Sequence, residues 1–278
     1  MKNKFFLSIF FLIFIKNTLY AENLLIEAKS VSIDKNTQTS IFKQDVIVKT
    51  DDNNTIKSQY AEYNKKLKFL IFKNDIEAVD SKNNRIFTDQ AEYDENIKVF
   101  KSMGKTKIIT SENYIIEGEN IVLDDKNNSI KSSDKTTITD TDENKIYLEN
   151  FNYNTSSNIF KSIGLVEIID KKNNSYEFSQ IYIDTKKKEM LGTDIKAYLN
   201  DDDFKVDKKN KPRIFANTLK LDGNSNSFGK SIFTLCDYRK NDKCPPWTIQ
   251  SSKMLHDNKK KTIYYDNAVV KVYDIPLF

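Results

Sequence analysis

Apolar and polar residues alternate along this chain in short runs, and the runs return every thirty residues. Aligned copies read Val31-Ser32-Ile33-Asp34, Ala61-Glu62-Tyr63-Asn64, Ala91-Glu92-Tyr93-Asp94, Ile121-Val122-Leu123-Asp124, Phe151-Asn152-Tyr153-Asn154 and Ile181-Tyr182-Ile183-Asp184. Two later copies, Leu219-Lys220-Leu221-Asp222 and Met254-Leu255-His256-Asp257, follow at longer intervals. A second register is mostly apolar: Val46/Val48, Ile76/Ala78, Thr106/Ile108, Thr136/Ile138 and Val166/Ile168. A third is Ile56, Ile86, Ile116, Ile146 and Tyr176. A fixed period with phased alternation marks a repeat array in which each unit is strand, turn, strand, turn.

Asp and Asn head the turns, as at Asp34-Lys35-Asn36-Thr37, Asn64-Lys65-Lys66 and Asp80-Ser81-Lys82-Asn83-Asn84. Their side chains bond the local backbone and tolerate left-handed dihedrals. Turns this short make consecutive strands antiparallel neighbours. Two strands in each of about eight units predict an all-β antiparallel meander of about 14–16 strands, each roughly eight to ten residues long, with no helical periodicity.

One face of this sheet is dry and the other wet, because the residues one and three before each turn Asp or Asn are apolar and the residue between is mostly polar. Parity breaks inside the strand, since Ile56 and Tyr63 are an odd number apart. A bulge or bend near Ser58 to Ala61, repeated in every unit, restores the facing and folds the sheet into a V or flattened roll. The dry face, with Phe42, Phe72, Phe100, Phe151 and Phe160, is rich enough for a closed core or for an open apolar trough. The pattern alone leaves both open.

Composition narrows the chemistry. Net charge over the 278 residues is +4, and Lys2, Lys4 and Lys16 carry three of those positives. Lys and Asp alternate in the turns instead of clustering, so nothing suggests nucleic-acid binding. A basic start, an apolar run from Phe5 to Ile15 and the Leu19-Tyr20-Ala21 ending read as a signal peptide over residues 1–21, with one exported domain over 22–278. His256 is the only histidine, and no Gly-rich phosphate loop or nucleophile elbow is present, so neither an enzyme nor a cofactor is expected. Asp140-Thr141-Asp142-Glu143-Asn144 starts like a calcium loop, but Lys145 stands where Gly is required and Phe151 where the closing Glu belongs. Export allows Cys236 and Cys244 to bond across the polar turn between them. Bonds to cysteines outside this chain, or two free thiols, are the other readings.

The last sixty residues depart from the repeat: Cys236 is followed by Cys244-Pro245-Pro246-Trp247 and by Ala268 to Phe278, ending in Ile275-Pro276-Leu277-Phe278. From about Glu22 onward the chain resembles the OstA-like periplasmic domain of the LptD family of outer-membrane lipopolysaccharide-assembly proteins. In that family, a Cys-bearing strand, a Pro-Trp strand and a closing Val-Pro-Leu/Val-Phe stretch lead into a β-barrel. The resemblance implies a twisted β-jellyroll or β-taco of the OstA/LptA kind, on the periplasmic side of the outer membrane. Its apolar groove would take the lipid A part of lipopolysaccharide from an LptA-like bridge protein. The groove would be lined by Ile33, Tyr63, Tyr93, Leu123, Tyr153 and Ile183 on one set of strands and Val46, Ile76, Ile108, Ile138 and Ile168 on the other. Leu24, Leu25, Ile26 and Val31 map to the edge strand that accepts the bridge. An LptE-like lipoprotein would be met only through the barrel, which is missing because the chain stops at Phe278. The chain is thus expected to be a piece of a longer protein or a separate module. The alternatives are a stand-alone LptA-like carrier and a secreted repeat adhesin or structural protein.

Overall fold

The structure, a computed structural model, describes residues 24–50, 52–199, 212–221, 225–236, 245–257 and 259–277. The predicted signal peptide and Cys244 lie outside these. The described chain forms one antiparallel sheet. Its strands are β1 (Leu25–Glu27), β2 (Ser30–Asp34), β3 (Thr39–Lys49), β4 (Thr55–Asn64), β5 (Phe69–Val79), β6 (Arg85–Asp94), β7 (Val99–Ile109), β8 (Ile115–Glu119), β9 (Val122–Asp124), β10 (Ser129–Ser132) and β11 (Thr136–Thr139). They continue as β12 (Lys145–Leu148), β13 (Phe151–Asn154), β14 (Ile159–Ile169), β15 (Ser175–Asp184), β16 (Glu189–Tyr198), β17 (Arg213–Leu221), β18 (Ser225–Thr234), β19 (Trp247–Asp257), β20 (Thr262–Asp266), β21 (Val269–Val272) and β22 (Ile275–Pro276).

Several of these are halves of one interrupted strand. β1 and β2 both pair with β3, β8 and β9 with β7, β12 and β13 with β14, and β20 and β21 with β19. β10 and β11 together bridge the halves on either side of them. Rejoined, the pieces make sixteen long strands and the two-residue β22, so the predicted all-β meander is what the chain forms.

Every long strand is creased at its middle. In β4 the buried side chains are Ile56 and Ser58, then Ala61, so Gln59 and Tyr60 both turn outward at the predicted position. The register shifts there as well, with the additional residue on the neighbouring strand. That residue belongs to a left-handed pair, Gln44-Asp45 in β3 and Asn74-Asp75 in β5, or is Gly104 in β7 and Gly164 in β14. Left-handed backbone is cheap for Gly and tolerable for Asn and Asp, so these types recur at the crease.

Size complementarity packs the inside of the crease. Phe42 and Phe72 stand opposite Ala61, and Phe72 also opposite Ala91. Further along the small side chain changes strand: Ser132 faces Phe151, Ser162 faces Ile181, and Gly192 lies between Ile181 and Leu219. A large side chain is thus set beside a small one at the crease as the large residue switches strands.

Candidate functional site

The two halves of each creased strand carry two cross-strand rows, apolar but for Ser40 near the N-terminal edge. On the first half the cross-strand row runs Ile33, Ser40, Tyr63, Leu70, Tyr93, Phe100, Leu123, Ile130, Tyr153, Phe160, Ile183, Met190 and Leu221. On the second half it runs Val48, Ile56, Ala78, Ile86, Ile108, Ile116, Ile138, Ile146, Ile168, Tyr176, Ala197 and Ile214. A straight strand of ten residues spans roughly 33 Å. The rims at its two ends nevertheless meet, because side chains of turns on one rim reach turns on the other rim that belong to strands further along the chain. The crease therefore folds the sheet so that the rows face each other.

The structure brings most of the predicted lining together inside this fold. Tyr93, Leu123, Tyr153 and Ile183 on one row, and Ile108, Ile138 and Ile168 on the other, are buried, as are Val46 and Ile76 beside the crease. Tyr63 is half-buried, and its hydroxyl donates to Glu95 at 3.0 Å. Ile33 departs from the set at 68% exposed: β2 is paired only with β3 among the described residues, so no further strand covers it. Of the predicted edge residues, Leu25 and Val31 are about half exposed, while Leu24 and Ile26 lean against the core.

Over most of its length the interior is filled. Leu70, Phe72, Ile108 and Ile130 have no exposed surface. Side chains of the two rims also close the mouth above them. Lys98 Nζ lies 2.6 Å from Asp52 Oδ2, and Asn54 Nδ2 donates to Asp125 Oδ2. Lys82 Nζ donates to Asn128 Oδ1 and Thr155 Oγ1, both at 2.8 Å, and to Ser156 Oγ at 3.2 Å. Tyr153 donates its hydroxyl to Glu112 at 3.1 Å. Neither the rows nor the repeat revealed this clasp, whose partners stand 41 to 74 residues apart.

Beyond the clasp the mouth opens into a cleft of about 500 Å³. Ile146, Ile168, Tyr176, Ile183, Met190, Leu199 and Leu221 supply its apolar lining, and His256 also lines it. Asp140, Asp142, Lys171, Lys172, Lys188 and Glu189 form a rim of mixed charge. The cleft therefore offers a greasy floor under a polar lip, a shape for an amphiphile. Asp140 is engaged in its own turn, accepting from the backbone N–H groups of Asp142 and Asn144, as a solvated turn residue does. Cys236, two residues beyond β18, is half-buried and disulfide-bonded to no described residue, while Cys244 lies outside the described residues.

Electrostatics single out Asp125. Its burial at the clasp pushes the carboxyl pKa up to about 6, helped by the charges of Asp52 and Asp80, while Asn54 and Lys98 pull the other way. The folded chain thus binds this proton more tightly than the unfolded one. Stability from this group accordingly rises as pH falls through about 6 and levels off below the unfolded value near 3.9. The denaturant midpoint of the wild type is expected to gain more between pH 7 and pH 5 than that of Asp125→Asn. Parallel profiles would show that the carboxyl is not strained at neutral pH.

No protein-family model matches the chain, and no curated protein matches it. Among solved structures it aligns with LptH, described as the LptA-homologous periplasmic component of the conserved lipopolysaccharide transport device from Pseudomonas aeruginosa. The alignment has 13% identity, covers 62% of this chain and 82% of that one, and has a TM-score of 0.18. So loose a superposition carries no argument; the architecture rests on the strands and registers themselves.

Proposed function

We propose that this chain is an exported, non-enzymatic lipid carrier of the lipopolysaccharide-assembly system, working as the periplasmic OstA-like domain that its C-terminal sequence resembles. The observation that carries the reading is the pair of facing apolar rows, continuous through the array and surfacing in the open cleft. Acyl chains laid between such rows gain roughly 25 cal/mol for each Å² taken from water, without any covalent chemistry. The exposed edge formed by β1 and β2 suits an LptA-like bridge protein, since an unpaired strand accepts another by backbone hydrogen bonds. Passage onward to a barrel, an LptE-like partner beyond it, and a Cys236–Cys244 bond belong to the same reading.

A second reading is favoured by a specific observation: the interior over the middle repeats is already filled by its own side chains. A repeat-built adhesin or structural protein needs no more than that. Photocrosslinking separates the two. A benzophenone side chain at Met190 or Ile183, on the cleft floor, is expected to capture lipopolysaccharide in a producing host, whereas one at Glu62 or Glu92, on the wet face, is not. Equal capture at both sets, or none at the cleft, would remove the carrier reading.

A further inference from the structure

Each rim of the fold is stitched along its own length, and the stitching differs from what joins one rim to the other. On the first rim the backbone N–H of Lys65 donates to the carbonyl of Gln38, Glu95 to Lys68, Asp125 to Lys98, Thr155 to Asn128 and Thr185 to Asn158. On the second rim the Asn54 side chain accepts from the Ser81 N–H, and that of Asn84 from the Ser111 N–H. Both rims are therefore stiff ladders. Across the mouth, in contrast, no backbone hydrogen bond is made among the described residues. Among the described residues the link is made by side-chain contacts, those of Asp52, Asn54, Lys82 and Glu112 with Lys98, Asp125, Asn128, Thr155, Ser156 and Tyr153 included.

We propose that this seam is a lateral gate, through which cargo enters the filled interior by parting of the rims from the open cleft inward. This rests on the carrier reading above. Two stiff ladders joined only by side chains separate as bodies, and the crease supplies the hinge: Asn74-Asp75, Gly104 and Gly164 hold left-handed backbone at mid-strand in phase from repeat to repeat. The links themselves are weak. Lys98 and Asp52 are each more than a third exposed, so water and salt screen their attraction. What keeps the gate shut in the absence of lipid is the apolar surface beneath it. Parting the rims wets Leu70, Tyr93, Ile108 and Ile130, which acyl chains would cover in its place. The clasp thus sets where the mouth closes, and cargo supplies the reason to open it.

Locking the seam tests the gate. In a background with Cys236 and Cys244 changed to Ser, Asn54→Cys with Asp125→Cys places two thiols across the mouth. Lys57→Cys with Glu77→Cys places two on neighbouring strands of one half, as a control. After crosslinking with a cleavable bis-thiol reagent, uptake of lipopolysaccharide by the seam-locked chain is expected to fall at least tenfold and to return on cleavage. The control should be unaffected. Uptake by the locked chain at the rate of the cleaved one would overturn the gate. If the cleaved chain takes up no lipopolysaccharide either, the carrier reading fails first and the gate with it. A measurement that leaves the clasp intact uses spin labels at Ser81→Cys and Lys126→Cys, which line one cleft on the seam. Their separation should lengthen when lipopolysaccharide binds, and an unchanged separation with lipid bound would refute opening.

Discussion

Truncating Phe72 to alanine is expected to cost the fold about 3–5 kcal/mol, read from the guanidinium midpoint at constant slope. The ring has no exposed surface, and its cross-strand neighbours on both sides, Ala61 and Ala91, are equally buried. Neither neighbour has a side chain long enough to move into the vacated volume, so the cavity persists and its cost adds to the lost transfer free energy. Phe72→Leu keeps most of the volume and should lose less than half as much. Near-equal losses for the two substitutions would mean that shape complementarity at the crease is not what the ring provides. Because β5 is hydrogen-bonded along its length to β4 and β6, the loss should also appear first as local opening of β4 to β6, seen as faster amide exchange there.

Asn84→Ala is expected to cost about 2 kcal/mol, because it strands the buried carboxylate of Asp80 and takes the acceptor from the Ser111 N–H at the surface. Asn84 is buried in the second rim. Its backbone N–H donates to Asp80 Oδ1 at 2.8 Å, its Nδ2 donates to Asp80 Oδ2 at 2.6 Å, and its Oδ1 accepts from the Ser111 N–H at 3.1 Å. Alanine keeps only the first of these. The charge of Asp80 then loses a donor, and the Ser111 N–H loses its acceptor. Asn84→Asp separates the two losses: it still offers Ser111 an oxygen but sets a second carboxylate against Asp80. Like charges this close cannot both ionise without a large penalty, so Asn84→Asp should be as damaging as alanine at pH 7 and should recover toward pH 4, as the pair takes up a shared proton. Absence of that recovery would mean the ladder is held by shape instead of by its hydrogen bonds.

The turns behaved as their letters said. Asp34, Asp94, Asp124, Asn154 and Asp184 each accept a backbone N–H two or three residues on, which is why an Asp or Asn stands there in every unit. The crease was legible in part. The parity break between Ile56 and Tyr63 locates it, since a strand cannot point both residues inward without one irregularity. A further register is hidden in the letters: Gln44, Asn74, Gly104, Gly164 and Asp194 hold positive φ, all spaced by multiples of thirty. Polar residues and glycines at exposed positions look like ordinary surface until the backbone shows what they permit.

Period, strands, turns and the side chains that share a face are all legible in the letters, because each depends on residues near in the chain or on parity carried along it. That the rows close on each other under a clasp and open into a cleft is visible only in the folded chain. That outcome depends on how much each strand turns against the last. The twist accumulates across the sheet and brings Lys82 of one unit over Asn128 and Thr155 of units further on, a displacement that no repeat pattern encodes. Whether an apolar interior is filled follows from volumes summed across that twisted gap, which no one strand's pattern contains.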